Sequence, residues 1–194
     1  MSDIKTIIGI ISVVLVFIAY IPYIRNIFKG TTKPHMYSWL LWGILSFIIY
    51  AMQVSAGAGP GSWITLCIGL VVLYVFILSI KRGTKDVKPI DLVFLIIGLL
   101  TIPLWLLAEQ PVLSMIIVTA IDLIGFLPTI RKSWNDPYSE TLSLNVICTF
   151  RHVLSIFALA NINIVTALFP ITWAIINAIF GIMLIIRRKK IQQI

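Results

Sequence analysis

Long apolar runs alternate with short polar or basic stretches along almost the whole chain. Bounded by charge, Gly and Pro, these runs predict seven helices, at 5–28, 35–54, 61–80, 89–107, 111–130, 140–160 and 164–186. Each is close to the roughly 20 apolar residues that a helix needs to cross a bilayer core. The connections are short, at 29–34, 55–60, 81–88, 108–110, 131–139 and 161–163. The pattern predicts an all-α membrane protein of seven transmembrane helices.

Composition sharpens this. Of 194 residues, 60% are hydrophobic and 11% charged, and the mean hydropathy is +1.06. A soluble domain carries about 45–50% apolar and about 25% charged residues. A soluble enzyme and a disordered tail are thereby excluded. The net charge of +8 would suit a polyanion, but its placement points to topology instead. Arg25, Lys29 and Lys33 flank the first connection, Lys81, Arg82, Lys85 and Lys88 the third, and Arg131 and Lys132 the fifth. Arg187, Arg188, Lys189 and Lys190 follow the last run, while the other connections hold no Lys or Arg. Lys5 alone stands at the opposite N-terminal end. The positive-inside rule then puts the N-terminus outside and the C-terminus in the cytoplasm, against an anionic inner leaflet, with no role for nucleic acid. The N-terminus lacks the marks of a cleaved signal, so the first helix is expected to be retained. Short loops and no sorting tail point to a prokaryotic plasma membrane.

The two halves echo each other. Ile21-Pro22-Tyr23-Ile24-Arg25 recurs as Leu127-Pro128-Thr129-Ile130-Arg131, an offset of 106 residues, and Pro60 and Trp63 recur as Pro170 and Trp173, an offset of 110. Both offsets pair predicted helices of the same direction. The expectation is a parallel repeat of three helices (1–82 and 109–194) joined by a linker helix (83–108), an arrangement found in transporters.

These segments carry a resemblance. Pro22-Tyr23-Ile24-Arg25-Asn26-Ile27-Phe28-Lys29-Gly30-Thr31-Thr32-Lys33 and Pro128-Thr129-Ile130-Arg131-Lys132-Ser133 resemble the loop of the SWEET, SemiSWEET and PQ-loop superfamily, where a helix ends in Pro-Gln or Pro-Thr before a basic, Ser/Thr-rich turn. Tyr138-Ser139-Glu140-Thr141-Leu142-Ser143 resembles the turn that opens the next helix, and Phe169-Pro170 followed by Asn177 resembles the last helix. The resemblance implies a three-plus-one-plus-three fold and transport of a small polar solute, a sugar or an amino acid, by alternating access. It also implies a substrate-contacting role for Asn177. The sequence departs from the family at Tyr23 and Thr129, where Gln is absent, and at Cys67, which stands opposite Asn177.

Deep polar residues are few. Asp122, Arg151 and Asn177 sit on the fifth, sixth and seventh predicted helices at roughly 12, 16 and 13 Å from the cytoplasmic end, counted at 1.5 Å per residue. Asn145, Cys148, Thr149, His152 and Ser155 share one face of the sixth, with Arg151 on its flank. Two readings stay open: a charge network of Asp122, Arg151 and His152 along a solute path, with Asp122 or His152 carrying a proton, or a structural Asp122–Arg151 pair. At offset 106 the first half offers only Val16 and Leu45 in their place. Trp63 and Trp173 lie one turn outside Cys67 and Asn177, as stacking or gating residues or as part of an interfacial belt. Trp39, Trp42, Trp105 and Trp134 read as belt residues. Pro22 and Pro128 are expected as matched bends of an inner gate, with helix termination the alternative. His35 reads as an exposed neighbour of a helix cap.

Cys67 and Cys148 form no metal motif and read as core thiols. No lysine lies in 164–186, which excludes a retinal Schiff base. His152 is the only His inside a predicted helix other than His35 at a helix start, and no base is placed for a nucleophile. Neither catalysis nor a cofactor is expected, and oligomerisation stays open. The competing reading is a binding receptor resembling the KDEL receptor, in which Arg151 would hold a carboxylate.

Overall fold

The computed structural model describes residues 2–32, 34–83 and 89–191. Lys33, Lys85 and Lys88, counted above toward the charge bias, lie outside them. The described residues form α1 (Ser2–Lys29), α2 (Met36–Ser55), a 3-10 turn (Gly59–Ser62), α3 (Trp63–Arg82), α4 (Pro89–Leu106), α5 (Pro111–Ile124), α6 (Leu127–Asn135), α7 (Leu142–Ala158) and α8 (Ile164–Ile191). All seven predicted segments are occupied by helix. Among the described residues four helical segments are long and apolar enough to span a bilayer: Asp3–Lys29, Met36–Ser55, Gly59–Arg82 and Ile164–Ile191.

The helices are inverted relative to those of a soluble protein. On α1, the apolar residues Ile4, Ile7, Ile11, Val14, Ile18 and Ile21 recur at helical spacing and are all exposed. The opposite face buries Ser12, Val16, Ala19, Tyr20 and Tyr23. The same holds for α8, with Ile171, Ile175, Ile179, Ile182 and Ile186 outward and Pro170, Ala174, Asn177 and Gly181 inward. An apolar outside around a partly polar inside is what a hydrocarbon solvent selects.

Within the first half, α3 packs against both α1 and α2; within the second, α8 packs against both α5 and α7. Between halves, α1 meets α7 and α2 meets α5, while α4 lies against α5 and α2. One apolar core joins α1 and α3, with Trp39 and Cys148 added; another joins α2, α5 and α8.

Two boundaries differ from expectation. The helix predicted at 111–130 is broken between Ile124 and Leu127, and α6 then runs to Asn135 through what was predicted as a loop. The amide of Phe126 bonds Leu123 O at 2.9 Å in place of Asp122 O, which leaves the Asp122 carbonyl for the Trp42 indole N–H, at 3.1 Å. Pro128 contributes no N–H for the carbonyl of Ile124, and Gly125 weakens the helix just before it. Pro22, at the corresponding place in α1, interrupts nothing: α1 continues to Lys29. The two prolines thus stand in different settings, Pro22 inside a continuous helix and Pro128 just after a break. Likewise the basic stretch after 186 is the last turn of α8. Its Arg187 Nε donates to Trp134 O at 2.8 Å, and Arg188 donates to Pro137 O and Glu140 O at 3.0 and 2.6 Å, tying down the connection from α6 to α7.

Candidate functional site

A cavity of about 270 Å³ lies between the halves. The second half lines it with Asp122 on α5, Asn145, Arg151 and His152 on α7, and Asn177 on α8, and Ser38 and Ser46 of α2 add hydroxyls from the first half. The first half contributes Tyr20 and Tyr23 from α1 and Trp39 and Trp42 from α2. Pro34, His35, Thr129 and Glu140 also line it, so it extends toward the end of the molecule where the basic connections lie.

The opposite end is closed by bonds between halves. The Ala160 amide donates to Ala58 O at 2.9 Å, Asn161 and Asn163 side chains donate to Ala56 O at 3.2 and 3.4 Å, and Lys5 Nζ donates to Leu159 O at 2.8 Å. One turn deeper, fully buried Gln53 donates to Thr166 O at 3.1 Å and accepts from Thr65 Oγ1 at 2.8 Å. Backbone approach makes this closure tight. A Cβ on Gly61 would stand 2.8 Å from both Leu159 N and Ser155 O. At the basic end Asn26 Nδ2 donates to Thr141 Oγ1 across the halves in a long bond of 3.5 Å.

Asp122 is held by tryptophans from both halves. Trp173 Nε1 donates to Oδ2 at 2.7 Å, and Trp42 donates to its carbonyl. Gly125 permits this, since a Cβ there would sit 2.9 Å from Trp42 Nε1. Asp122 and Arg151 form no ion pair: Asp122 Oδ2 accepts from Trp173, Arg151 Nε and Nη1 have no hydrogen-bond partner, and the guanidinium carbon lies 5.7 Å from the centre of the Tyr20 ring. The structural reading of a charge pair locking two helices is thus not realised. His152 packs edge-on to Phe169, 6.0 Å between ring centres. Asn177 Nδ2 donates to Trp173 O at 2.7 Å, and Asn145 Nδ2 to Thr141 O at 3.2 Å, so each amide is oriented by its own helix.

Of the residues singled out from sequence, Asp122, Asn145, Arg151, His152, Trp173 and Asn177 surround this one space. Cys67 and Trp63 do not. Cys67 packs against the core of the first half, and Trp63 is partly exposed at the start of α3. The mirror relation of Cys67 to Asn177 and of Trp63 to Trp173 therefore does not extend to the cavity. Pro22 lies within α1 and Pro128 within α6. Trp39 and Trp42, expected as belt residues, instead line the cavity and stack on one another edge to face at 5.5 Å. The reason is that α2 is wedged between α3 and α5 and has little outward face there. His35 is itself the N-cap of α2, accepting from Ser38 N at 3.3 Å, and is half-buried at the cavity.

The aromatic shell was missed from sequence. Tyr20 and Tyr23, like Trp39 and Trp42, are spaced three apart on one helix, a spacing that puts each pair on one face and could have revealed them. Comparison of the chain with known protein families, with curated proteins and with solved structures finds no match.

Proposed function

We propose that the protein is a SWEET-like, PQ-loop-type membrane transporter that moves a small polar solute by alternating access. In this reading the seven predicted segments span the bilayer, N-terminus out and C-terminus in, and two three-helix bundles rock about a central site. The observation that carries it is the asymmetry of the cavity: its lining runs to the end that bears the basic connections, while hydrogen bonds between the halves clasp the other end. An inward-facing carrier needs this asymmetry, and a rigid binding site does not.

The packing supports the repeat. Exchanging the halves turns α1 on α3 into α5 on α8, α2 on α3 into α7 on α8, and α1 on α7 into α5 on α2, and all of these neighbours occur. A rotation axis along the membrane normal produces this pairing. The carboxylate, guanidinium and carboxamide groups, in contrast, belong to the second half, which suits a solute with its own polarity or a coupled proton better than a symmetric passage for neutral sugar.

A second reading, a ligand-binding receptor resembling the KDEL receptor, is favoured by one feature: the buried guanidinium of Arg151 without an acid partner. Purified protein in proteoliposomes separates the two. Time-dependent uptake of a bound solute supports the carrier, whereas saturable binding with no flux supports the receptor.

A further inference from the structure

Among the described residues, the buried side-chain polar atoms that lack a hydrogen-bond partner are Ser114 Oγ, Nε and Nη1 of Arg151, and Nδ1 of His152. Three of these four belong to two consecutive residues, and both of those residues line the central cavity. Each is more than nine-tenths buried, at 3% exposure for Arg151 and 2% for His152.

Such a cluster is unusual, since the great majority of buried polar groups find a partner. It is also costly, because a guanidinium cannot lose its proton to escape burial. The charged neighbours do not relieve it. Asp122 accepts from the Trp173 indole through Oδ2 and makes no bond to Nε or Nη1 of Arg151. Glu140 lies eleven positions earlier in the chain, roughly 16 Å away along the helix direction. Tyr20 meets the guanidinium with its ring, 5.7 Å from Cζ to the ring centre, and with its hydroxyl, which still leaves Nε and Nη1 without a partner.

We infer that the solute carries a carboxylate and that Arg151 receives it, with His152 Nδ1 as an adjacent contact. This rests on the reading of the cavity as the solute site. A carboxylate matches the planar guanidinium in charge and in hydrogen-bond geometry, as no neutral sugar does. The rest of the ligand is apolar or aromatic, because Trp39, Trp42, Phe126 and Phe169 line the same space. The volume of about 270 Å³ keeps it small. Asp122 adds a place for a hydrogen-bond donor on the same molecule, so amino and hydroxy acids share the chemistry with simple arylacetates.

Isothermal titration of the purified full-length protein with phenylacetate, L-phenylalanine, the neutral 2-phenylacetamide and glucose tests this. At least one of the two carboxylates is expected to bind, with the amide weaker by about tenfold or more, the loss that follows removal of a charge-assisted hydrogen bond. Arg151→Gln is expected to weaken that carboxylate by a similar factor and Arg151→Lys to retain part of the binding. Should Arg151→Gln not fold, the carboxylate against amide comparison on the unaltered protein decides. Equal affinity for the amide, or no binding of either carboxylate, overturns the inference. Carboxylate binding without uptake of the same radiolabelled compound overturns the transporter reading and leaves the Arg151 site standing. Glucose uptake with no carboxylate binding does the reverse.

Discussion

Asp122 is the residue on which most of the site's geometry converges, and it is gripped through its side chain by one half and through its carbonyl by the other. Its substitution by Asn keeps an oxygen for the Trp173 N–H while removing the ionisable group. Asp122→Asn is therefore expected to fold and insert normally but to abolish the pH dependence of uptake, measured as initial rates in proteoliposomes across a series of external pH values. Uptake that stays equally pH-dependent removes Asp122 as the coupling group. Trp173→Phe is the complementary change. It strands a buried carboxylate oxygen without its donor, which costs about 1–3 kcal/mol and should lower the thermal midpoint in detergent. A Trp173→Phe protein as stable as the parent would show that this hydrogen bond contributes little.

At the scale of elements, the break between α5 and α6 is the feature that no repeat predicts. The residue aligned with Gly125 at offset 106 is Ala19, and α1 runs through it unbroken. A proline in both helices thus yields a break in only one, because Gly costs about 1 kcal/mol of helix propensity relative to Ala and Trp42 supplies a donor for the freed carbonyl. Gly125→Ala restores helix propensity but places a Cβ 2.9 Å from Trp42 Nε1, and overpacking of this kind costs about 1–3 kcal/mol. The net effect is expected to be destabilising, with slower uptake as the break stiffens. Parallel thermal melts and flux assays check this; a variant with a raised midpoint and unchanged flux would separate the break from function.

At the scale of the whole molecule, the proposed alternating access requires the clasp between 56–61 and 159–163 to open for solute to leave on the far side. The Ala160 amide to Ala58 carbonyl bond of 2.9 Å brings the two backbones as close as paired strands, within the reach of a disulfide. In a background with Cys67 and Cys148 replaced by Ser, Ala58→Cys with Ala160→Cys is expected to crosslink on oxidation, stop uptake, and recover when reduced. Full transport by the crosslinked protein would show that this end does not open. Gly61→Ala pushes the other way. Its Cβ meets backbone atoms of Ser155 and Leu159 that cannot yield cheaply, so it should loosen the clasp and raise labelling, by a membrane-impermeant reagent, of a cysteine placed at the fully buried Ala58.

Periodicity and charge determined by themselves the helical, membrane-embedded class, because an apolar run of fixed length and an adjoining Lys or Arg are local properties that a bilayer reads directly. They also picked out Asp122, Asn145, Arg151, His152 and Asn177, since a polar residue inside an apolar run is visible without knowing its neighbours. Tertiary structure alone decided which groups those residues face. Asp122 and Arg151 lie at similar depths by counting, yet the carboxylate turns to Trp173 and the guanidinium to Tyr20, because rotation about a helix axis is set by packing. It decided as well that Trp39 and Trp42 belong to the cavity while Trp63 and Cys67 do not. An aromatic in an apolar run looks alike to lipid and to a core, and only the wedging of α2 between α3 and α5 assigns it a side.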